Sequence, residues 1–143
     1  MTKKPVNINL LENGDYSIKL NHDALEDILV SLSKVPEDKR GGVARALFTA
    51  SALYCVAGSI NYMLRARNVP VKEVNGTASI KMGKNEKKQD LVESMILNID
   101  VDIPEDNRPE LDRCIKYLED GCLITRGLKK GIKVTNNIQL KQE

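Results

Sequence analysis

Aromatic residues are scarce in this chain: Phe48 and four tyrosines, with no tryptophan, make up 3% of 143 residues. A stacking platform for bases or single strands is therefore excluded. Charge of one sign is lacking too, since 22 Lys and Arg face 20 Asp and Glu for a net +2. So weak a field does not gather phosphate backbones, and nucleic acid is not expected as a partner. Histidine occurs once, at His22, beside Cys55, Cys114 and Cys122, which leaves too few ligands for a structural zinc site. No metal or cofactor is expected. The first twelve residues hold no apolar run of signal-peptide length, so a cytoplasmic location is expected, where an uneven set of thiols stays reduced.

Hydrophobic residues at 41% and charged residues at 29% are globular proportions, and 143 residues suit one domain, 1–143, with a core of its own. Val6, Ile8 and Leu10 alternate with polar residues, as do Tyr16, Ile18 and Leu20 beyond Asn13-Gly14, which predicts a hairpin. A loop of residues 13–15 sets Leu10 opposite Ile18 and Ile8 opposite Leu20, keeping like faces together. Asp23 with Glu26 reads as a capping box ahead of Leu25, Ile28, Leu29 and Leu32, predicting a first helix over 24–34 that Val35-Pro36 ends.

Between Arg45 and Arg65 lie 19 residues without a charge, ALFTASALYCVAGSINYML. The length suits a membrane span. Thr49, Ser51, Ser59 and Asn61, the many small residues and an arginine at both ends argue against one, so no membrane is expected. A helix apolar on all sides is instead buried on all sides. A chain this short has little with which to surround it, and a partner subunit is expected to supply part of the cover.

Val74 to Met82 and Met95 to Ile103 each alternate with period two around the basic turn Gly83 to Lys88, predicting a long hairpin with Met95, Leu97, Ile99, Val101 and Ile103 on its core face. Asn107 and Glu110 suggest a second capping box, for a helix that Gly121 stops. A short helix over 123–130 follows, then an interrupted strand through Ile132, Val134, Ile138 and Leu140. The fold class is α+β, with an antiparallel sheet and segregated helices.

Cys114 falls at core spacing and is assigned to packing. Cys122 lies between a helix stop and a helix start, where free N–H groups and the helix dipole favour a thiolate. Cys55 sits in mid-helix with no cation within a turn. Arg45, ten residues earlier, is about 15 Å away along the axis. Arg126 lies one turn from Cys122 and is ranked first as a cation for the site, followed by Arg45 from a partner subunit and then Arg40.

The runs ARALFTASALYC (44–55) and LDRCIKYLEDGCLITRGL (111–128), with the extended hairpin between them, resemble the osmotically inducible protein C and organic hydroperoxide resistance family over roughly residues 42–135. Cys122-Leu123-Ile124-Thr125-Arg126-Gly127-Leu128 is similar to the family's Cys-Pro-Val-Ser-Lys-Ala-Leu at the cysteine, the hydroxyl residue, the cation and the last leucine. The resemblance implies an intertwined homodimer around a long buried central helix, working as a thiol peroxidase on organic hydroperoxides or hydrogen peroxide. In that scheme Cys55 is the nucleophile, Cys122 closes a disulfide with it, and a dithiol reductant, of lipoyl type by the resemblance, reopens the pair. The family's glutamate ten residues before the first cysteine is replaced here by Arg45, no arginine precedes Arg40, and Leu123 replaces the proline. The N-terminal region also reads as richer in helix than in the family. Two other readings share the fold: a non-enzymatic dimer that binds a small hydrophobic ligand, and a redox sensor without turnover.

Overall fold

The structure, a computed structural model, describes residues 4–141. The chain divides into two compact units, 1–46 and 47–143.

In the first unit β1 (Asn7–Leu10), β2 (Tyr16–Lys19) and β3 (Ile28–Val30) form an antiparallel sheet in that order. The hairpin is present with like faces paired, but its register lies two residues from expectation: Ile8 faces Ile18 and Leu10 faces Tyr16. The loop is 12–14, one position earlier than expected. Leu11 N–H donates to the Asp15 carbonyl (2.8 Å), and Gly14 at φ +91° takes the left-handed position that closes a three-residue loop.

Asp15 is then turned inward, almost fully buried. Its carboxylate accepts the Ser33 N–H (2.7 Å), the Ser33 hydroxyl (3.0 Å) and the Asn13 amide (3.1 Å). The expected helix over 24–34 does not form. Ile28 to Val30 pair with the free edge of β2, and Leu32–Lys34 make a single 3₁₀ turn. The reason lies in hydrogen bonds that spacing does not reveal. His22 Nδ1 takes the Ala24 N–H, Asp27 takes the Leu20 N–H, and Asp15 takes Ser33. A short apolar run fits either element until such partners choose. The N-terminal region is therefore a sheet, and its expected excess of helix is withdrawn.

Helix α1 (Val43–Ala66) begins in the first unit and runs into the second. Among the described residues it is the one helix long and apolar enough to cross a membrane. Ala52, Ile60 and Leu64 are buried. The expectation of burial on all sides is not met within the chain, because Tyr54 and Tyr62 on another face are 78% and 76% exposed.

In the second unit β4 (Glu73–Lys84) and β5 (Asp90–Asp102) form a long antiparallel hairpin. Met95, Leu97, Ile99 and Val101 turn to the half-buried face and Asn98, Asp100 and Asp102 to water, as the alternation predicts. The turn is 85–89, shorter than the expected 83–88 allows, because Gly83 and Lys84 stay in the ladder. Asn85 Oδ1 closes it by accepting the N–H groups of Lys87 and Gln89. A bulge at Glu93, opposite Lys81 and Met82, breaks the alternation. Gly76 has a steric role: a Cβ there would lie 2.7 Å from Ile99 Cδ1 and 3.0 Å from Leu53 Cδ1, so glycine lets α1 approach the hairpin closely just before Cys55.

Helix α2 (Arg108–Tyr117) packs Cys114 against Ile60, Leu64 and Val69, with Val56, Ile99, Val101 and Leu111 around them, and this is the core. Its expected capping box is absent. Asn107 belongs to the preceding 3₁₀ turn, and Glu110 Oε2 is buried without a hydrogen-bond partner among the described residues. After α3 (Leu123–Lys130) comes Gly131, at φ +74°. The expected strand over 132–140 is not formed. A strand needs an edge to pair with, and neither sheet takes this segment, so Ile138 and Leu140 are 93% and 91% exposed.

Candidate active site

α1 carries Cys55 to the start of α3, where Cys122 waits one residue before the first helical position. Both thiols are free, and the two side chains bear on one another. Cys114 is free and fully buried in the core. The topology thus brings together the two cysteines that the sequence separates by 67 positions and leaves the third apart.

Cys122 is the N-cap of α3. In a reciprocal pair of bonds, the Thr125 N–H reaches the Cys122 side chain and the Cys122 N–H donates to Thr125 Oγ1 (2.8 Å). The two side chains also meet directly, at 3.3 Å between Cys122 Sγ and Thr125 Oγ1. A helix start has N–H groups with no carbonyl to receive them. Here the Cys122 sulfur receives that of Thr125. The N–H groups of Ile124 and Leu123 bear on Cys55, and those of Thr125 and Ile124 on Cys122.

The two thiols are driven apart in acidity. Burial pushes the Cys55 thiol up, and its hydrogen bond to Cys122 pushes it further, beyond what the Ile124 and Leu123 N–H groups recover. Burial opposes ionisation of Cys122 as well. The hydrogen bond from Cys55, the Thr125 hydroxyl and the N–H groups of Thr125 and Ile124 together outweigh it, so Cys122 lies below its ordinary value.

Arg126 does not spend its guanidinium on a sulfur. Its Nη2 donates to the Gly121 carbonyl (2.9 Å) and its N–H to the Cys122 carbonyl (2.7 Å). Gly121 sits at φ +100°, and a Cβ there would come within 2.5 Å of Thr125 Oγ1 and 2.8 Å of the Arg126 nitrogen. Only glycine fits the turn that presents Cys122. Arg45 lies over Gly42, where a Cβ would be 3.0 Å from its Nη2. Arg40 donates from Nε to the Val35 carbonyl (2.8 Å).

Spacing alone does not single out Thr125 as the N3 partner of the Cys122 cap, nor Gly121 as an obligatory glycine. The partial signal is Cys122 and Thr125 three apart at a helix start, the spacing of a capping box with sulfur as the capping atom. Among the described residues no group of three or more His, Cys, Asp and Glu side chains is arranged to hold a metal ion.

The fold has close structural counterparts. An OsmC-like protein from Mycoplasma pneumoniae superposes with a TM-score of 0.67 at 16% identity, over 92% of this chain and 91% of that one. An OsmC-like hydroperoxide resistance protein from Jannaschia sp. CCS1 gives 0.55 at 14% identity, over 95% and 91%. An organic hydroperoxide resistance protein from Elizabethkingia anophelis gives 0.53 at 14% identity, over 91% of each chain. No curated protein sequence matches. These likenesses show an α+β fold of the OsmC-like type. The family model described as OsmC-like protein matches residues 40–137, which include both members of the thiol pair, and the chain belongs to that family.

Proposed function

We propose that this protein is a cysteine-based thiol peroxidase that reduces organic hydroperoxides or hydrogen peroxide through a Cys55–Cys122 disulfide. One observation carries the reading: two free cysteines, from distant parts of the chain, come together at the N-terminus of α3. One thiol takes an oxygen from the peroxide, which leaves as an alcohol or water, and becomes a sulfenic acid. The second thiol condenses with it, releasing water and closing the disulfide. A dithiol reductant, of lipoyl type by family resemblance, returns the pair to its starting state by exchange. Hydroperoxide resistance proteins among the structural counterparts support the substrate class.

In this reading Arg126 serves by holding Gly121 and so the loop that presents Cys122, and Arg45 is a cation that a second copy of the chain brings to the site. The working unit is a homodimer in the cytoplasm.

Peroxide consumption with a dithiol in excess, followed by peptide mapping after one equivalent of organic hydroperoxide, tests the proposal. The expected products are a Cys55–Cys122 disulfide and a Cys114 that still alkylates. Reversible disulfide formation without turnover would indicate a sensor. If all three thiols remain alkylatable after peroxide, the ligand-binding reading replaces the enzymatic one.

A further inference from the structure

A threonine hydroxyl has one proton and two lone pairs, so the bonds open to Thr125 can be counted. The Cys122 N–H donates to Oγ1 (2.8 Å) and takes one lone pair, while Cys122 Sγ lies 3.3 Å from the same oxygen. The Gly121 carbonyl, four residues back, receives Arg126 Nη2 (2.9 Å). Among the described residues the Cys122 sulfur is therefore the acceptor within reach of the hydroxyl proton. The oxygen is also fixed in place. It lies over Gly121, where a Cβ would be 2.5 Å from it, and the Cys122 N–H holds it there.

A sulfur with a proton can donate to Oγ1, whereas a thiolate or a disulfide sulfur has none and can only receive. In those two forms the bond between the side chains must run from the Thr125 hydroxyl to Cys122 Sγ, alongside the Thr125 N–H that reaches the same sulfur. No heavy atom has to move for this; only the hydroxyl proton turns. We propose that Thr125 is a positioning residue for the thiol cycle, its hydroxyl holding the Cys122 sulfur both as the thiolate that closes the disulfide and as the thiolate that leaves when a dithiol opens it. In closing, the Cys122 thiolate attacks the Cys55 sulfenic acid, the S–S bond forms, the S–O bond breaks and hydroxide leaves. In opening, the reductant thiolate attacks the Cys55 sulfur, because Cys55 is partly exposed and Cys122 only 3%. The S–S bond breaks with its electron pair on Cys122, where the hydroxyl and N–H of Thr125 stabilise the charge. The reductant's second thiol then displaces Cys55 and closes the reductant's own disulfide, which returns both cysteines to the reduced state. This inference rests on the peroxidase reading for its oxidant but not for the bonds that Thr125 makes.

The test compares Thr125→Val, Thr125→Glu and Thr125→Ser with the parent, reading disulfide closure after one equivalent of organic hydroperoxide and disulfide opening by dithiothreitol. Valine removes the hydroxyl at nearly constant shape. Both rates are expected to fall about tenfold, the loss of one hydrogen bond to a charged sulfur, and excess peroxide should over-oxidise more Cys55. Glutamate at this third helical position still accepts the Cys122 N–H and keeps the cap of α3, but a carboxylate has no proton to give the sulfur. Its rates should fall at least as far. Serine keeps the donor and should recover most of the parent rate. A glutamate variant that cycles like the parent makes Thr125 a cap alone and overturns the proposal, as does a serine variant as slow as the valine one. If the valine and glutamate variants do not fold, the parent decides. Brief treatment of the oxidised protein with 2-mercaptoethanol, quenched with iodoacetamide, should leave the mercaptoethanol adduct on Cys55 and the alkyl group on Cys122, and the reverse pattern overturns the proposal. Oxidation with diamide separates this inference from the peroxidase. A disulfide that diamide forms and peroxide does not, with the same variant effects on its opening, keeps the role of Thr125 and loses the peroxidase. If neither oxidant joins the two cysteines, both fall.

Discussion

At the scale of single residues, the pair was legible in the sequence and its support was not. Cys122 stood out because a helix stop and a helix start flank it. Cys114 was separable because it falls on a core face, where the structure buries it fully. Arg126 was legible only as a cation near the site. Its bond to the Gly121 carbonyl depends on a backbone turn at φ +100° that residue spacing does not encode. That bond changes what its removal should do. Arg126→Ala loses one charge-assisted hydrogen bond, worth about 1.5 kcal/mol, so disulfide closure after peroxide should slow roughly tenfold. Gly121→Ala should slow it more, since its Cβ would lie 2.5 Å from Thr125 Oγ1. Stopped-flow measurement of disulfide closure checks both. If Arg126→Ala closes at the parent rate, Arg126 has no part in presenting Cys122.

At the scale of elements, the two hairpins and the short helix α3 were legible, and the segments over 24–34 and 132–140 were not. β4 and β5 run twelve and thirteen residues, and beyond the bulge at Glu93 the alternation of β5 is unbroken from Met95 to Asp102. The three residues of β3 carry too little pattern to decide between strand and helix, and their state is set by where Asp15, eighteen positions before Ser33, finds its donors. The Ser33 N–H holds the Asp15 carboxyl below its ordinary value against the opposing effect of burial, and the Ser33 hydroxyl, Asn13 and Lys34 assist. A carboxyl depressed in the folded state stabilises the fold above its ordinary pKa and loses that contribution as pH falls through the folded value. Stability of the first unit should therefore decline below about pH 4, where an unperturbed aspartate protonates. Asp15→Asn should lower the thermal midpoint at pH 7 and flatten its dependence on acid. Melting curves between pH 3 and pH 7 check this, and parallel curves for the two proteins would mean that Asp15 does not anchor β3.

At the scale of the whole molecule, the expectation that most depended on a second chain concerns α1. Its uncharged run is the feature that first suggested a partner, and the single chain buries it only at Ala52, Ile60 and Leu64. Leu47, Tyr54 and Tyr62 stay exposed on the same helix, and Ile138 and Leu140 lie uncovered beyond α3. Exposed apolar surface on this scale marks an interaction site, and two kinds of cover compete for it: a membrane or a second copy. Small residues such as Ala57 and Gly58, which help line a cleft of about 310 Å³ with Tyr54 and Asn61, suit close backbone approach better than lipid contact. Polar side chains at Thr49, Ser51, Ser59 and Asn61 would be costly in hydrocarbon. The chain is therefore expected to sediment at micromolar concentration as twice its own mass, and not to partition onto neutral phospholipid vesicles. Tyr54→Lys, placed on the exposed face and away from the thiols, should shift the equilibrium toward monomer by at least about tenfold, the consequence of losing an aromatic anchor from an apolar interface. A folded monomer in the parent protein, or a Tyr54→Lys variant that dimerises as tightly as the parent, would remove this face of α1 from the interface.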